Sequence, residues 1–532
     1  MKAKNIFKSA SILIILVITC ISISSCNDDF TDLEPIGSSS YGNFWKTQED
    51  AVKASNGLYY YMLDEDMFSR GFMWYINASD DMITGRIKAY ADNTKNFILD
   101  GNESGLKWMY PQSFKIIRRA NDILLKVPSM DFDQNVKNRI LGEAYFMRAF
   151  HYHWLAYHYG DDKSGGIPII TVENMNDPGG SFTRPASVVE NYKQIIEDLN
   201  KAADLLPLVT QYADEDKGRA NKDAALAYIA KTYLYWAQYD SSKYADAVLA
   251  CDAVTNSGSS RSLFKVGNNN PYEDYRKLHS NLSNWSSEYI WGVDSGIQAG
   301  SKLPGVMLEN KGWGLYNGWG YYQPTEELYE EFENGDPRRE VTILKFGDEF
   351  PYFGVTKEYQ SINSLSGFQF NKYMYEYAEE DCIGKDVNSN GDSPTTTYNV
   401  PILRYAEVLL IKAEALIMQG QNGDTPLNLV RTRVGLAPKT NATMTDLKHE
   451  RRVELAGEFA DRHFDLVRWG DAQSAYSQPL HGRIHSDRSN PNSPYTIEEV
   501  WPARNFDPSY MNVWPIPNDV INSSGIPQNK NW

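Results

Sequence analysis

The residues best suited to chemistry in this 532-residue chain lie in one stretch, Asn310 to Thr325. Trp313, Tyr316, Trp319, Tyr321 and Tyr322 are interleaved there with Gly312, Gly314, Gly318 and Gly320. Glycine weakens both helices and strands, so this density of it predicts a loop. A loop has little core in which to hide five large rings, so some of them face solvent or neighbouring loops. Exposed ring faces suit flat, weakly polar ligand faces such as sugars. The competing use of the same rings is to pin a long loop onto the body.

Other constellations carry less. His151, His153 and His158 share one helical pattern, and the 151/158 spacing puts two of them on one face. No third ligand stands at a recognisable spacing, so they read as satisfied helix histidines rather than a zinc site. Asp386, Asn388, Asn390 and Asp392 resemble the opening of a calcium loop, but Thr397 stands where such a loop has its bidentate glutamate. They are weak calcium candidates, with a solvated Asx-turn loop as the alternative, and no other cofactor is implied. Glu450, Glu454, Glu458 and Asp465 lie near Arg451, Arg452, Arg462 and Arg468 at helical spacing, which reads as ion pairing. A glycosidase would need two carboxylates flanking the scissile bond, and 69 acidic residues offer such pairs by chance. There is no nucleophile elbow, phosphate loop or metalloprotease motif, so no catalytic residue is assigned.

The whole chain carries a formal charge of −17, and its first 25 residues contribute Lys2, Lys4 and Lys8 with no acid. The remainder is therefore near −20 (−17 minus 3), which excludes a nucleic-acid partner, since a phosphate backbone needs a basic face. The 35 Tyr and 13 Trp suit a surface that binds. After the three lysines, Ser11 to Ile21 is an apolar run of signal-peptide length, about half of a bilayer span. It ends in Ile23-Ser24-Ser25-Cys26, which resembles a bacterial lipobox, so Cys26 is the predicted lipidation site. Asn27-Asp28-Asp29 follows, similar to a surface-export signal of Bacteroidetes lipoproteins. With Cys20 removed, Cys251 and Cys382 are too few for a disulfide framework or a zinc site; bridge or free thiols both remain open.

The elements that would position these groups are mostly helices. Residues 1–25 read as signal peptide and 26–43 as a lipidated tether. Thr47 caps a helix running towards Leu63, with Glu49 and Asp50 in its first turn. Met73 to Leu99 is loop-like around Ser79-Asp80-Asp81. Trp108–Val127, Val136–Tyr159, Val188–Leu206, Lys222–Asn256 (two helices), Leu403–Gly420, Pro426–Val434 and Thr445–Arg468 follow a helical period. Several pair in the manner of a tetratricopeptide repeat: 136–159 with 188–206, the two within 222–256, and 403–420 with 426–434. From about 263 to 399 the period breaks down into loops and short strand-like runs, the kind of long ordered irregularity that carries sites. Val513-Trp514-Pro515-Ile516-Pro517 is a stiff apolar docking strand.

These blocks together resemble the SusD/RagB family across the whole chain. The resemblance rests on the lipobox, on Phe44-Trp45-Lys46-Thr47 with Asn56-Gly57, and on Gly142 to Phe150 with Tyr159-Gly160. It continues through Asp336-Pro337-Arg338-Arg339, Pro401 to Glu407, Asp465 to Gly470 and the Trp514-Pro515-Ile516-Pro517 tail. The run Glu458 to Arg462 is one residue longer than the family's E-G-x-R, and the end at Gln528-Asn529-Lys530-Asn531-Trp532 also departs from its pattern. The resemblance implies a mainly α fold: a helical scaffold over 44–262 and 400–532, with a large loop-rich insertion of about 263–399 forming the ligand face. It further implies a non-enzymatic outer-membrane lipoprotein that captures oligo- or polysaccharide for a SusC-like TonB-dependent transporter. A RagB-like peptide binder and a glycoside hydrolase are the alternatives. In the starch-binding members an early loop and the loop before the Pro-Thr pair supply the aromatic arc. Trp319 is thus the leading ligand contact, followed by Trp313, Tyr316, Tyr321 and Tyr322, with Trp74, Tyr75 and Tyr90 from the early loop.

Overall fold

The computed structural model describes residues 44–62, 64, 67–68, 76–177, 182–267, 269–294, 320–352, 355–373 and 397–532. The order is α1 Gln48–Asn56, β1 Met82–Thr84, α2 Ala89–Lys95, α3 Ser104–Lys126, α4 Gln134–Tyr159, α5 Val189–Leu205, α6 Lys222–Trp236 and α7 Lys243–Thr255. Shorter pieces follow: α8 Pro271–Leu278, β2 Tyr289–Val293, β3 Tyr322–Pro324, α9 Glu326–Glu331, α10 Arg338–Thr342, β4 Ile343–Lys345, β5 Glu349–Tyr352, β6 Val355–Glu358, β7 Phe368–Phe370 and β8 Val400–Arg404. The chain closes with α11 Tyr405–Met418, α12 Asp424–Arg433, α13 Met444–Leu455, α14 Arg462–Trp469, α15 Ala472–Tyr476, β9 Leu480–His485, β10 Tyr495–Trp501 and α16 Asn518–Ser524.

The fold is mainly α, as expected from the periodicity. Thr47 caps α1 through a capping box, its hydroxyl accepting from Asp50 N while the Asp50 carboxylate accepts from Thr47 N at 2.8 Å. The helix stops at Asn56, however, short of Leu63, because Gly57 ends it and a series of turns follows. α4 is the central helix. Every residue from Phe146 to Tyr159 is buried, so the helix is covered on all sides rather than amphipathic. It packs between α3 and α5, α6 packs on α7, and α11 packs on α12; these are the helix pairs expected of a tetratricopeptide-like scaffold. Ala224, Ala225, Ala227 and Ala230 on α6, all fully buried, let its neighbours approach closely.

The strands form antiparallel pairs, β1–β3, β2–β8, β4–β7, β5–β6 and β9–β10. β2–β8 carries the start of the 263–399 span back to α11, and its Trp291 sits edge-on to Phe146 and Phe150 of α4 at 4.8 and 4.9 Å between ring centroids. One continuous core therefore runs from Ala51 to Ile526 and includes Trp291, Tyr322 and Phe368. The predicted docking strand at 513–517 joins no sheet. It lies extended with Trp514 fully buried, stacked on His463, and Trp514 N donates to His158 O at 2.7 Å. The span expected as one helix, 445–468, is two: Ala456 turns extended, Gly457 has φ +73°, and α14 restarts under an Asp461 cap.

Candidate functional site

The structure joins the two segments expected to form the ligand face. β1, from the early loop, pairs with β3, which begins where the Gly-aromatic loop ends, in the register Met82↔Pro324, Ile83↔Gln323 and Thr84↔Tyr322. Gly85 N donates to Tyr321 O at 2.7 Å and Thr325 N to Asp81 O at 3.1 Å, closing the pair at both ends. Gly85 has no alternative here, since a Cβ would lie 2.3 Å from the Gly320 carbonyl oxygen. Beyond β3, Thr325 caps α9 by accepting from Leu328 N at 3.2 Å. The fully buried Gln323 brings in a third segment, its Oε1 accepting from Leu365 N at 2.8 Å and Ser366 N at 3.2 Å.

Beneath this pair the loop of residues 77–82 is held by buried charge. Lys95 of α2, fully buried, donates to the carbonyls of Asn77 (3.2 Å), Ser79 (3.2 Å) and Met82 (2.6 Å). Burial, then the neighbouring Arg504 guanidinium, pushes the Lys95 ammonium well below its ordinary range. Arg504 itself donates to Ala78 O at 2.5 Å and Ser79 O at 3.3 Å. Arg462 grips Asp80 with Nε and Nη2 at 2.9 and 3.0 Å, and Arg452 grips Asp81 at 2.7 Å. Burial opposes ionisation of Asp80, but the Arg452 and Arg462 guanidiniums outweigh it and hold the carboxyl well below the usual range. What reads as a loop in sequence is thus a fixed base.

Above that base lies a tip that sequence reasoning passed over: Gly85-Arg86-Ile87-Lys88. Ile87 is 97% exposed, and Arg86 and Lys88 sit over the Tyr321 ring at 5.1 and 5.6 Å from its centroid. Two cations on a chain of −17 charge look like ordinary surface in sequence; only the β1–β3 register puts them beside Tyr321.

The predicted contacts divide accordingly. Tyr90 stands on α2 and is 46% exposed. Tyr322 is fully buried in β3, so it is part of the support and not a platform; Tyr321, 7% exposed under Arg86 and Lys88, is a wall rather than an open stacking face. Both were expected to contact ligand because glycine neighbours make them read as loop, whereas the loop gives way to strand at this point. Trp319, Trp313, Tyr316, Trp74 and Tyr75 lie outside the described residues, as do the lipidation candidate Cys26 and the calcium candidates Asp386, Asn388, Asn390 and Asp392. Cys251 is a buried free thiol, and Cys382 lies outside the described residues.

The carboxylate–arginine series does form ion pairs, but mostly across elements rather than along one helix. Arg404 binds Glu288 (2.7 Å), Glu454 (2.6 Å) and Glu458 (2.6 Å); Arg338 binds Asp336, Glu450 and Glu454. Arg451 reaches Asp465 and Glu407, and Arg468 reaches Glu414; Arg468 with Asp465 is the pair that keeps the expected local spacing. Of the α4 histidines, His151 shares a hydrogen bond with Ser113 Oγ (3.1 Å), His153 with Thr232 Oγ1 (3.0 Å), and His158 donates to Trp154 O (2.8 Å). Burial holds all three below the usual imidazole range. Among the described residues no cluster of three or more His, Cys, Asp and Glu side chains could hold a metal ion, and no helix is long and apolar enough to cross a membrane.

Comparison with known proteins bears on the same segments. The SusD family pattern matches residues 258–532, and a pattern described as "Starch-binding associating with outer membrane" matches residues 49–234. The chain is 26% identical to SusD-like protein P2 of Formosa agariphila, over 97% of this chain and 98% of that one. It is likewise 26% identical to a SusD-like protein of Bacteroides ovatus, over 87% and 83% of the two chains. Among solved structures, a SusD-like protein of Bacteroides fragilis superposes with a TM-score of 0.76 at 23% identity, covering 94% of this chain and all of the other. A laminarin-binding SusD-like protein gives 0.69 at 25% identity, covering 92% of this chain and 100% of that one.

Proposed function

The chain belongs to the SusD family, and from that premise we propose that it is a cell-surface lipoprotein which captures oligo- or polysaccharide and passes it to a SusC-like TonB-dependent transporter. The observation that carries this reading is the β1–β3 pair. It holds the early segment bearing Tyr90 and the end of the Gly-aromatic loop on one rigid base, so that both segments share one frame. A preorganised frame of this kind lowers the ordering cost of binding. The names of two structural relatives, a laminarin-binding protein and a surface glycan-binding protein of Bacteroides thetaiotaomicron, support sugar as the ligand class. Cys26 is the proposed anchor, and calcium at 386–392 stays a minor proposal.

The reading is that of a binding protein, not a hydrolase. The carboxylates nearest the face, Asp80 and Asp81, are paired with guanidiniums, Arg462 and Arg452; burial raises Asp81, but at 3% exposure it stays out of reach of a glycosidic bond. A glycan array probed with the soluble chain carrying Cys26→Ala tests the ligand class, and reducing-end assays on the hits test turnover. Binding to one glycan class without new reducing ends is expected. Binding to peptides alone, or turnover abolished by a single carboxylate change, would overturn the proposal.

A further inference from the structure

Away from the β1–β3 face, α3 presents Tyr110, Phe114, Lys115, Arg118 and Arg119 at helical spacing along one wall of an open cavity of about 530 Å³. Ile170 and Phe182 form a second wall, and Val520 and Ile526, from α16 and just beyond it, a third; Tyr61, from the turns after α1, closes one end. The volume falls within the range of built ligand pockets, roughly 300–1,000 Å³. The lining is dominated by apolar side chains and contains no acidic residue. Arg118 is already engaged, by Asp122 at 3.4 Å, Asn176 Oδ1 at 3.0 Å and Met175 O at 2.9 Å, whereas Arg119 donates to Gly57 O at 2.6 Å and Lys115 is exposed with the Tyr61 ring at 5.7 Å, so the groove's spare positive charge lies on Lys115 and Arg119. Tyr110, 1% exposed, has a phenol oxygen without a hydrogen-bond partner among the described residues. An occupant should therefore offer apolar side chains, negative charge and a hydrogen-bond acceptor.

One segment of this chain has that composition. Between Asn27 and Asn43 stand Asp28, Asp29, Asp32 and Glu34, no Lys or Arg, and the apolar Phe30, Leu33 and Ile36. The described chain starts at Phe44, and Tyr61 of the groove lies just beyond α1. Fully extended, residues 27–43 span roughly 56 Å, so reach does not limit them. We propose that the groove lined by α3 and α16 is the docking site of the chain's own acidic tether, residues 27–43. Phe30, Leu33 and Ile36 supply the apolar contacts, the carboxylates face Lys115 and Arg119, and a tether carboxylate or carbonyl accepts from Tyr110. With Cys26 as anchor, docking shortens the leash and turns the α3–α16 face towards the bilayer.

The test uses the full chain from residue 26 with Cys26→Ala and a photoreactive phenylalanine analogue in place of Phe30. Cross-links within one molecule to peptides containing Phe114 or Ile526 are expected. Combining Asp28→Lys, Asp29→Lys, Asp32→Lys and Glu34→Lys, which leaves the body untouched, should cut their yield at least fivefold, and Lys115→Glu, at an exposed side chain, should lower it in the same direction. Cross-links scattered over other surfaces, or a yield unchanged by both sets, would overturn the proposal. So would cross-links between molecules with a dimer in light scattering, which would assign the groove to a second copy.

Discussion

Helix α4 and the junction of β8 with α13 both bury polar side chains, and they satisfy them in opposite ways. On α4 the histidines are held neutral, each with a hydrogen bond to an uncharged partner: Ser113, Thr232 or a carbonyl on the same helix. At the junction the groups stay charged. Arg338, Arg404, Arg431, Arg433 and Lys372 face Asp336, Glu288, Glu450, Glu454 and Glu458, with Glu333 reaching Arg431 from the rim, five cations against six anions. Burial opposes ionisation of Glu458, but Arg404 and Lys372 outweigh it and hold the carboxyl down at about 2. Neutral satisfaction needs only the neighbouring helix. Charged satisfaction draws together β2, α10, β8, α12 and α13, so the lattice joins the 263–399 span to the late helices. The base of the ligand face follows the second pattern, with Asp80 and Asp81 held by Arg462 and Arg452.

The largest effect is expected where a lattice member is removed singly. Arg404→Ala leaves Glu288, Glu454 and Glu458 short of a counter-charge in a dry site, and breaking a buried pair this way costs ~3–5 kcal/mol. Urea unfolding followed by tryptophan fluorescence measures it. On α4 the matching change is Thr232→Val, which deprives His153 of its partner and leaves shape intact; an orphaned neutral group costs ~1–3 kcal/mol. Equal losses at the two sites would break the distinction drawn between them.

How far the sequence reveals each region follows from the same difference. Helical period and capping are local, so α3 to α7 and α11 were legible, as was the Thr47 capping box. The lattice was not: Arg404 meets Glu454 and Glu458 across 50 and 54 residues, and Arg462 meets Asp80 across 382. Glu454, Glu458 and Arg462 looked like partners along a single helix because the break at Ala456–Gly457 carries only one glycine as a signal. At the face, the pairing of the two segments was expected from resemblance, but the burial of Tyr321 and Tyr322 depends on the β1–β3 register, which no local pattern encodes.

The face should register its charged base in affinity as well as in stability. Arg462→Met leaves Asp80 with Arg452 alone at 3.3 Å, and beyond the stability lost with a buried pair it should weaken glycan binding per folded molecule by about tenfold, or ~1.4 kcal/mol. Calorimetric titration against the glycan found by array provides the measure. Trp319→Ala in the same assay sharpens the contrast. A stacking platform loses affinity with little change in melting temperature, whereas a loop pin does the reverse. Unaltered affinity in Arg462→Met would mean that the base does not position the face.

The last effect is a difference in pH slope, expected at Asp461, where the two modes meet. His158 Nδ1 donates to Trp154 O, so its Nε2, 3.3 Å from Asp461 Oδ2, has no second hydrogen of its own unless the pair holds an extra proton. Burial drives Asp461 up to about 7, with the Asp465 carboxylate adding to the rise and Lys231 opposing it. A raised carboxyl contributes stability that is fully present below its unfolded value near 3.8 and is lost as pH climbs through about 7. His151 and His463, which burial lowers to about 3, act in the opposite direction: their contribution is present above the unfolded value of 6.5 and is lost as pH falls towards 3. Between about pH 6.5 and 4 the Asp461 proton therefore offsets one histidine. Asp461→Asn keeps the shape and a donor for His158 but abolishes that uptake. Its stability should fall more steeply on acidification than the wild type, by about 1.4 kcal/mol per pH unit between about pH 7 and 4. Urea midpoints measured from pH 7 to 4 give the slopes, and parallel lines would mean that this buried pair takes up no proton on folding.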